Sequence, residues 1–337
     1  MNKMVLTLIT SLLLLSGCSN PTESNSPLVV QEWVFVACEG NFGASNGSIS
    51  MINQDGNVME VTEVGDVVQS LEVYEDKLIV IVNNSHMIKI YDITEDGLSL
   101  PGIEISTDNS SPRELVVVDD KVYFTNWNTK DIKVLNLFNY NIESSISVDG
   151  LPESIVTDGS YLWVGIMMNS DYSSASSVVK VDINTNSIVE TYEVGLGPTS
   201  LVMENNDVYV ARTFYDENWV SFHGSSKITS SEITMKNYGV GTACGGSMVK
   251  HRNEVYRSFD GGIATLDFEL NINTASKIGS YDQSQVYSTE VIGDYIYFGI
   301  TDYVNVNEVK VMDFDGNEMA SYEVGISPGD FTIWKND

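Results

Sequence analysis

Four carboxylates stand at or just after turn-marked steps in the chain. Glu114 follows Ser111-Pro112-Arg113, Glu153 follows Leu151-Pro152, Asp330 follows Ser327-Pro328-Gly329, and Glu290 follows the step at Ser288. Oxygen ligands of this kind suit a hard cation such as Ca²⁺, provided the fold makes them converge. Without convergence they form a solvated acidic rim, which is the commoner outcome. Other catalytic patterns are missing. The three histidines, His86, His223 and His251, have no metal-ligand spacing, and the chain has no Gly-x-Ser-x-Gly turn and no Gly-rich phosphate loop. A second set of residues speaks for binding instead. Asn41 stands beside Phe42, Asn84 near His86, Met168 near Tyr172, and Phe259 beside Asp260. Arg113, Trp127, Tyr303 and the group Arg212, Tyr215 and Trp219 complete it. Aromatic and Met side chains pack on apolar ligand surface, while amides and charged groups fix its polar edges.

The elements that must position these residues repeat along the chain. Units open at Val68, Pro112, Pro152, Pro198, Gly245, Ser288 and Pro328, successive openings lying 40 to 47 residues apart. Each unit then runs through an apolar stretch such as Lys77 to Val82 or Val122 to Thr125, and next an alternating stretch such as Val179-Lys180-Val181-Asp182. Several close on Glu-Val-Gly, as at Glu193-Val194-Gly195. A period of about 40–45 residues with four short strands per unit predicts an all-β chain folded as a β-propeller. The ends complement each other. Glu32 to Val36 reads as a second strand with no first strand before it, and Pro328 to Trp334 as a first strand with nothing after it. Joined, they complete one blade, giving a seven-bladed propeller over residues 31–337 with no open sheet edge.

This geometry sorts the loops by face. In an antiparallel blade the connections after strand two emerge beside those leading into strand one. The aromatic and amide residues above all fall in connections after strand two or at the start of strand one. Any one of them alone reads as an aromatic capping its blade, but together they predict a binding surface. The opposite face reads as tight acidic turns, such as Asp313-Phe314-Asp315-Gly316.

Residues 1–17 have the form of a secretory signal, with Lys3 ahead of an apolar run too short to span a membrane. Leu15-Ser16-Gly17-Cys18 matches a lipoprotein cleavage site, so Cys18 is the expected point of acylation, and residues 18–30 form a polar tether. The membrane would be reached through the lipid alone. Cys38 and Cys244 do not make a disulfide framework and are expected as buried thiols. With 47 acidic and 17 basic residues the formal net charge is −30, which argues against nucleic acid and against anionic lipid surfaces.

The motifs resemble those of a known family. Tyr123-Phe124-Thr125-Asn126 looks like the repeats of YncE-like surface propellers. Cys38-Glu39-Gly40-Asn41-Phe42, Gly65-Asp66-Val67-Val68-Gln69-Ser70, Val82-Asn83-Asn84-Ser85-His86, Ser111-Pro112-Arg113, Gly197 to Met203 and Val324 to Gly329 resemble, in order, motifs of BtuG-type surface lipoproteins. Those proteins capture cobalamin for outer-membrane transporters. The resemblance spans the mature chain and departs from it at Met167 to Ser177 and Phe214 to Gly224. It implies a cell-surface lipoprotein on the outer membrane, monomeric apart from a TonB-type transporter. It also implies a corrinoid as ligand, with no cofactor required. Trp127, Tyr215 and Trp219 would pack on that ligand, and Arg113 would pair with its phosphate. A metal-dependent, lactonase-like propeller hydrolase and a glycan- or protein-binding surface module are the alternatives.

Overall fold

The computed structural model describes residues 32–241, 246–304 and 307–336. The expected acylation point Cys18, with the signal and tether, lies outside these residues, as does Cys244. The described chain forms seven antiparallel sheets, each one blade of a propeller. Six of them hold four or more strands in radial order, the innermost being Pro328–Lys335, Val68–Tyr74, Pro112–Val118, Leu151–Thr157, Pro198–Glu204 and Val286–Ile292.

Ring closure is as the sequence implies. Pro328–Lys335 lies antiparallel to Glu32–Cys38, pairing Val34 with Ile333 and Val36 with Phe331, so the C-terminus supplies the innermost strand of the first blade. The Trp334 indole donates to Asp76 of the second blade at 2.9 Å, and Asp330 accepts the Leu71 amide at 2.8 Å. Both contacts tie the closing strand to its other neighbour.

The second strands are largely apolar because each is covered on two faces. In Glu32–Cys38, successive side chains point opposite ways. Trp33, Phe35 and Ala37 pack with Leu78 and Val80 of the second blade. Val34, Val36 and Cys38 pack with Val309 and Tyr297 of the seventh. Each buried Val, Leu or Phe among them stabilises the fold by about 1.5–3 kcal/mol of transfer free energy. Cys38 carries a free buried thiol, which burial pushes up to about 11.

The hairpins of the acidic face close through side-chain turns. Asn53 Oδ1 accepts the amides of Asp55 and Asn57, and Asp313 Oδ1 those of Asp315 and Asn317. Gly56, at φ +79°, supplies the left-handed step that the first of these turns needs.

The sixth blade departs from the four-strand expectation. It has three strands, Met248–His251, Glu254–Phe259 and Gly262–Thr265. Isolated bridges, Ile263 to Ile278 and Leu266 to Ile272, stand where a fourth would run. The cause is local. Asp267 Oδ1 folds back on the amides of Glu269 and Asn271, and Asn273 caps a short 3₁₀ turn over Thr274–Ser276. These side-chain bonds compete with a ladder. The expected opening at Gly245 lies outside the described residues, and the innermost strand of this blade begins at Met248.

Candidate ligand-binding site

Backbone bonds set the face on which the expected binding loops stand. In six blades strand two, or the connection after it, donates to the connection entering strand one: Glu39 to Ser327 at 3.0 Å, Asn83 to Val67 at 2.8 Å, Trp127 to Ser111 at 3.0 Å, Thr213 to Gly197 at 2.8 Å, Ser258 to Ser247 at 3.1 Å and Thr301 to Gln285 at 2.9 Å. These paired loops share one side of the ring. On that side the first, second, third and seventh blades enclose a cavity of about 580 Å³. Asn41, Phe42, Asn84, His86, Arg113, Trp127 and Tyr303 all line it. Half of the fourteen binding residues expected from sequence thus meet in one place.

Arg113 and Trp127 form one wall of this cavity. The Arg113 guanidinium lies 4.4 Å from the centre of the Trp127 ring. Its Nε and Nη2 donate to Glu153 at 3.0 and 2.6 Å, and Nη1 donates to Gln69 at 2.8 Å. One side chain therefore joins the second, third and fourth blades. Burial alone would lower the Arg113 pKa, and the Glu153 carboxylate more than reverses that. The bidentate edge of Arg113, which the expected pairing with a ligand phosphate would use, is held by Glu153. The Trp127 indole N–H is buried and has no hydrogen-bond partner among the described residues. A buried donor left unmade costs about 1–3 kcal/mol.

The Asn-Asn-Ser-His run is mainly scaffold. Asn83 Nδ2 donates to Pro112 O at 2.7 Å, and His86 Nδ1 accepts the Ser111 amide at 3.1 Å. Asn84 Nδ2 donates to Asp66 Oδ2 at 2.6 Å, and Asp66 also accepts the Gly43 amide at 2.9 Å. Asp66, not singled out as a site residue, is thus the post to which the first two loops are tied. Phe42, 79 % exposed, stands at the rim, and Tyr303 meets Tyr287 edge-on at 5.9 Å.

The other expected residues lie elsewhere. Met168 and Tyr172 of the fourth blade and Tyr215 and Trp219 of the fifth do not line this cavity. Trp219 is 79 % exposed at the tip of a long hairpin, Asp207–Tyr215 with Ser221–Ile228, where its ring contacts Tyr215. Arg212 borders a shallow depression with Phe214 and Met235, while Phe259 and Asp260 line a cavity between the fifth and sixth blades. Sequence reasoning missed Gln69, Tyr287 and Glu39, all on the first cavity. A repeat alignment would have found two of them, since Gln69, Arg113, Glu153 and Tyr287 each hold the second position of an innermost strand or its equivalent.

Beneath this cavity, and sharing Glu39, Gln69, Arg113 and Tyr287 with it, the axial channel opens into a second space of about 580 Å³. Glu114, Glu153, Glu290 and Asp330 all line it. Burial pushes Glu290 up to about 8 and Asp330 to about 6, and burial with the charges of Asp330 and Glu153 raises Glu114 well above the usual carboxylate range. Among the described residues no three His, Cys, Asp or Glu side chains are grouped to hold a metal ion.

No protein-family model matches the chain, and a search of curated proteins returns no match. Solved structures do resemble it. A putative 6-phosphogluconolactonase from Bacteroides fragilis superposes with a TM-score of 0.65 at 13 % identity, covering 94 % of this chain and 100 % of its own. A functionally unknown protein from Desulfotomaculum acetoxidans gives 0.65 at 13 % identity, over 89 % and 98 %. Apo AztD from Citrobacter koseri gives 0.57 at 11 % identity, over 91 % and 98 %. At these identities the likeness is one of fold. The chain is a seven-bladed β-propeller.

Proposed function

We propose that the protein is a ligand-capture propeller, a lipoprotein anchored through Cys18 at the outer-membrane surface. It takes a small, flat, amide-bearing molecule into the cavity of the first, second, third and seventh blades. By the resemblance of its motifs the ligand is a corrinoid, passed on to a TonB-type outer-membrane transporter. The observation that carries this reading is the meeting of Asn41, Phe42, Asn84, His86, Arg113, Trp127 and Tyr303 in one cavity. Aromatic surface on Phe42, Trp127 and Tyr303 would pack on the ligand, and Asn41, Asn128 and the Trp127 N–H would meet its amides.

Purified protein mixed with cyanocobalamin tests it. The expected result is a shifted visible spectrum and colour that stays with the protein through gel filtration. No binding at high micromolar cobalamin would reject the corrinoid assignment. A metal-dependent hydrolase is the second reading, favoured by the carboxylates of the channel. Stabilisation by Ca²⁺ that Glu114→Gln abolishes, with no cobalamin bound, would put it first.

A further inference from the structure

Two arginines are buried in the fifth and sixth blades with no carboxylate beside them. Arg212 and Arg257 are each only 2 % exposed, and neither forms a salt bridge among the described residues. Segment 242–245, Thr-Ala-Cys-Gly, contains no acid either. Burying an unpaired ion costs several kcal/mol even after relaxation, and buried charges are ordinarily paired. On a chain with a net charge of −30, acids to pair with them are not scarce.

The donors of Arg257 show which side lacks a partner. Nη1 donates to Gly224 O at 2.6 Å and to Ser225 Oγ at 3.2 Å, while among the described residues Nη2 has only a 3.5 Å contact with Arg212 O and Nε has no partner. Nε and Nη2 form the edge that grips an oxyanion side-on, as Arg113 grips Glu153. In Arg257 that edge belongs to a residue lining a cavity of about 420 Å³ between the fifth and sixth blades. The Tyr238 ring packs 5.4 Å from the guanidinium. His223 and Gly241 shape the cavity, and a Cβ at Gly241 would run into the His223 ring. The one acid on its wall, Asp260, is already held by Lys277 at 2.6 Å. Burial, and then the charge of Arg257, lowers the His223 pKa, which leaves a neutral imidazole able to donate.

We propose that this cavity is a second ligand site, separate from the first, which takes an oxyanion group, phosphate or carboxylate, on the Nε/Nη2 edge of Arg257. The ligand would supply the counter-charge that the fold does not.

Calorimetric titration of the purified full-length protein with inorganic phosphate, and separately with acetate, tests it, with melting curves in parallel. One saturable site and a rise in melting temperature are expected with at least one anion. Phosphate alone would indicate a phosphoryl-bearing ligand, and acetate alone a carboxylate-bearing one. Val240→Glu sets a like charge on an exposed residue of the cavity wall and leaves the core untouched. It should weaken binding about tenfold, as should Arg257→Lys, which keeps the charge but not the planar edge. Trp127→Ala should leave this binding intact. No saturable binding of either anion at tens of millimolar would overturn the proposal, as would binding that a folded Val240→Glu protein retains unchanged. Should Arg257→Lys fail to fold, the Val240 variant decides alone.

Discussion

In the proposed site Trp127 would serve binding and folding with one side chain, and the two can be separated. Trp127→Ala removes an aromatic anchor and should cost about 2 kcal/mol of cobalamin affinity by titration. It also removes the stack on Arg113, worth about 1 kcal/mol, so the melting temperature should fall measurably. Trp127→Phe keeps the ring and deletes the unpartnered N–H, so stability should hold while affinity drops. Unchanged affinity in Trp127→Phe would mean that the indole N–H meets no ligand. Trp219→Ala should change neither quantity, since that ring stands exposed outside the cavity; lost affinity in this variant would move the site to the fifth blade. Trp127 and Trp219 look alike in sequence, an aromatic beside Asn in a connection after strand two. What separates them is reach. Trp127 sits in a tight connection whose amide is bonded to Ser111, while strands running on to Tyr215 carry Trp219 away from the axis. Loop identity was legible in the residues, but radial position was not.

The innermost strands carry a charge arrangement that makes the fold sensitive to pH. Glu72 and Glu290 are both pushed up to about 8, first by burial and then by the charge of Asp330, which itself stands at about 6. A carboxyl whose pKa is raised on folding binds its proton more tightly in the native state. Its contribution is present at low pH and is lost as pH rises from the unfolded value of about 4 toward the folded one. The melting temperature should therefore fall between about pH 5 and pH 8, and Glu72→Gln with Glu290→Gln should flatten that slope. Turn acids act with the opposite sign. Asp313 and Asp267 are held low by the side chains and amides of Asn317 and Asn271, so their contribution is lost only as pH falls through the ordinary carboxylate range and below. A melting temperature that rises steadily from pH 5 to 8 would contradict the buried channel acids. The sequence placed Glu114, Glu153, Glu290 and Asp330 together because they recur at one point of the repeat. It did not reveal that Arg113 closes onto Glu153, since that contact joins neighbouring blades and depends on where two strands sit side by side.

At the scale of the whole ring, closure rests on one strand at the chain end. Among the described residues Pro328–Lys335 is the only strand paired with Glu32–Cys38 on its axial side, and it also meets the second blade through Trp334 and Asp330. Removing residues 328–337 would bare that strand's edge and leave Phe35, Val36 and their partners half covered, with aggregation the expected result. The truncated chain should lose its cooperative melt and elute as aggregate in gel filtration. The composite blade has the four-stranded order of the third blade and differs in where its covalent link is missing: Lys335 pairs with Glu32, as Val118 pairs with Lys121 across an ordinary two-residue turn. A permuted chain that begins at Ser327, passes through a short turn from Lys335 to Glu32 and ends at Ile326 keeps every strand pair. It should fold, melt close to the parent and bind the same ligand. If the truncated chain instead melts cooperatively at the parent's temperature, the C-terminal strand is an accessory and the ring holds without it. Should the permutant fail while the parent folds, the order of synthesis would matter to closure as well as the final pairing.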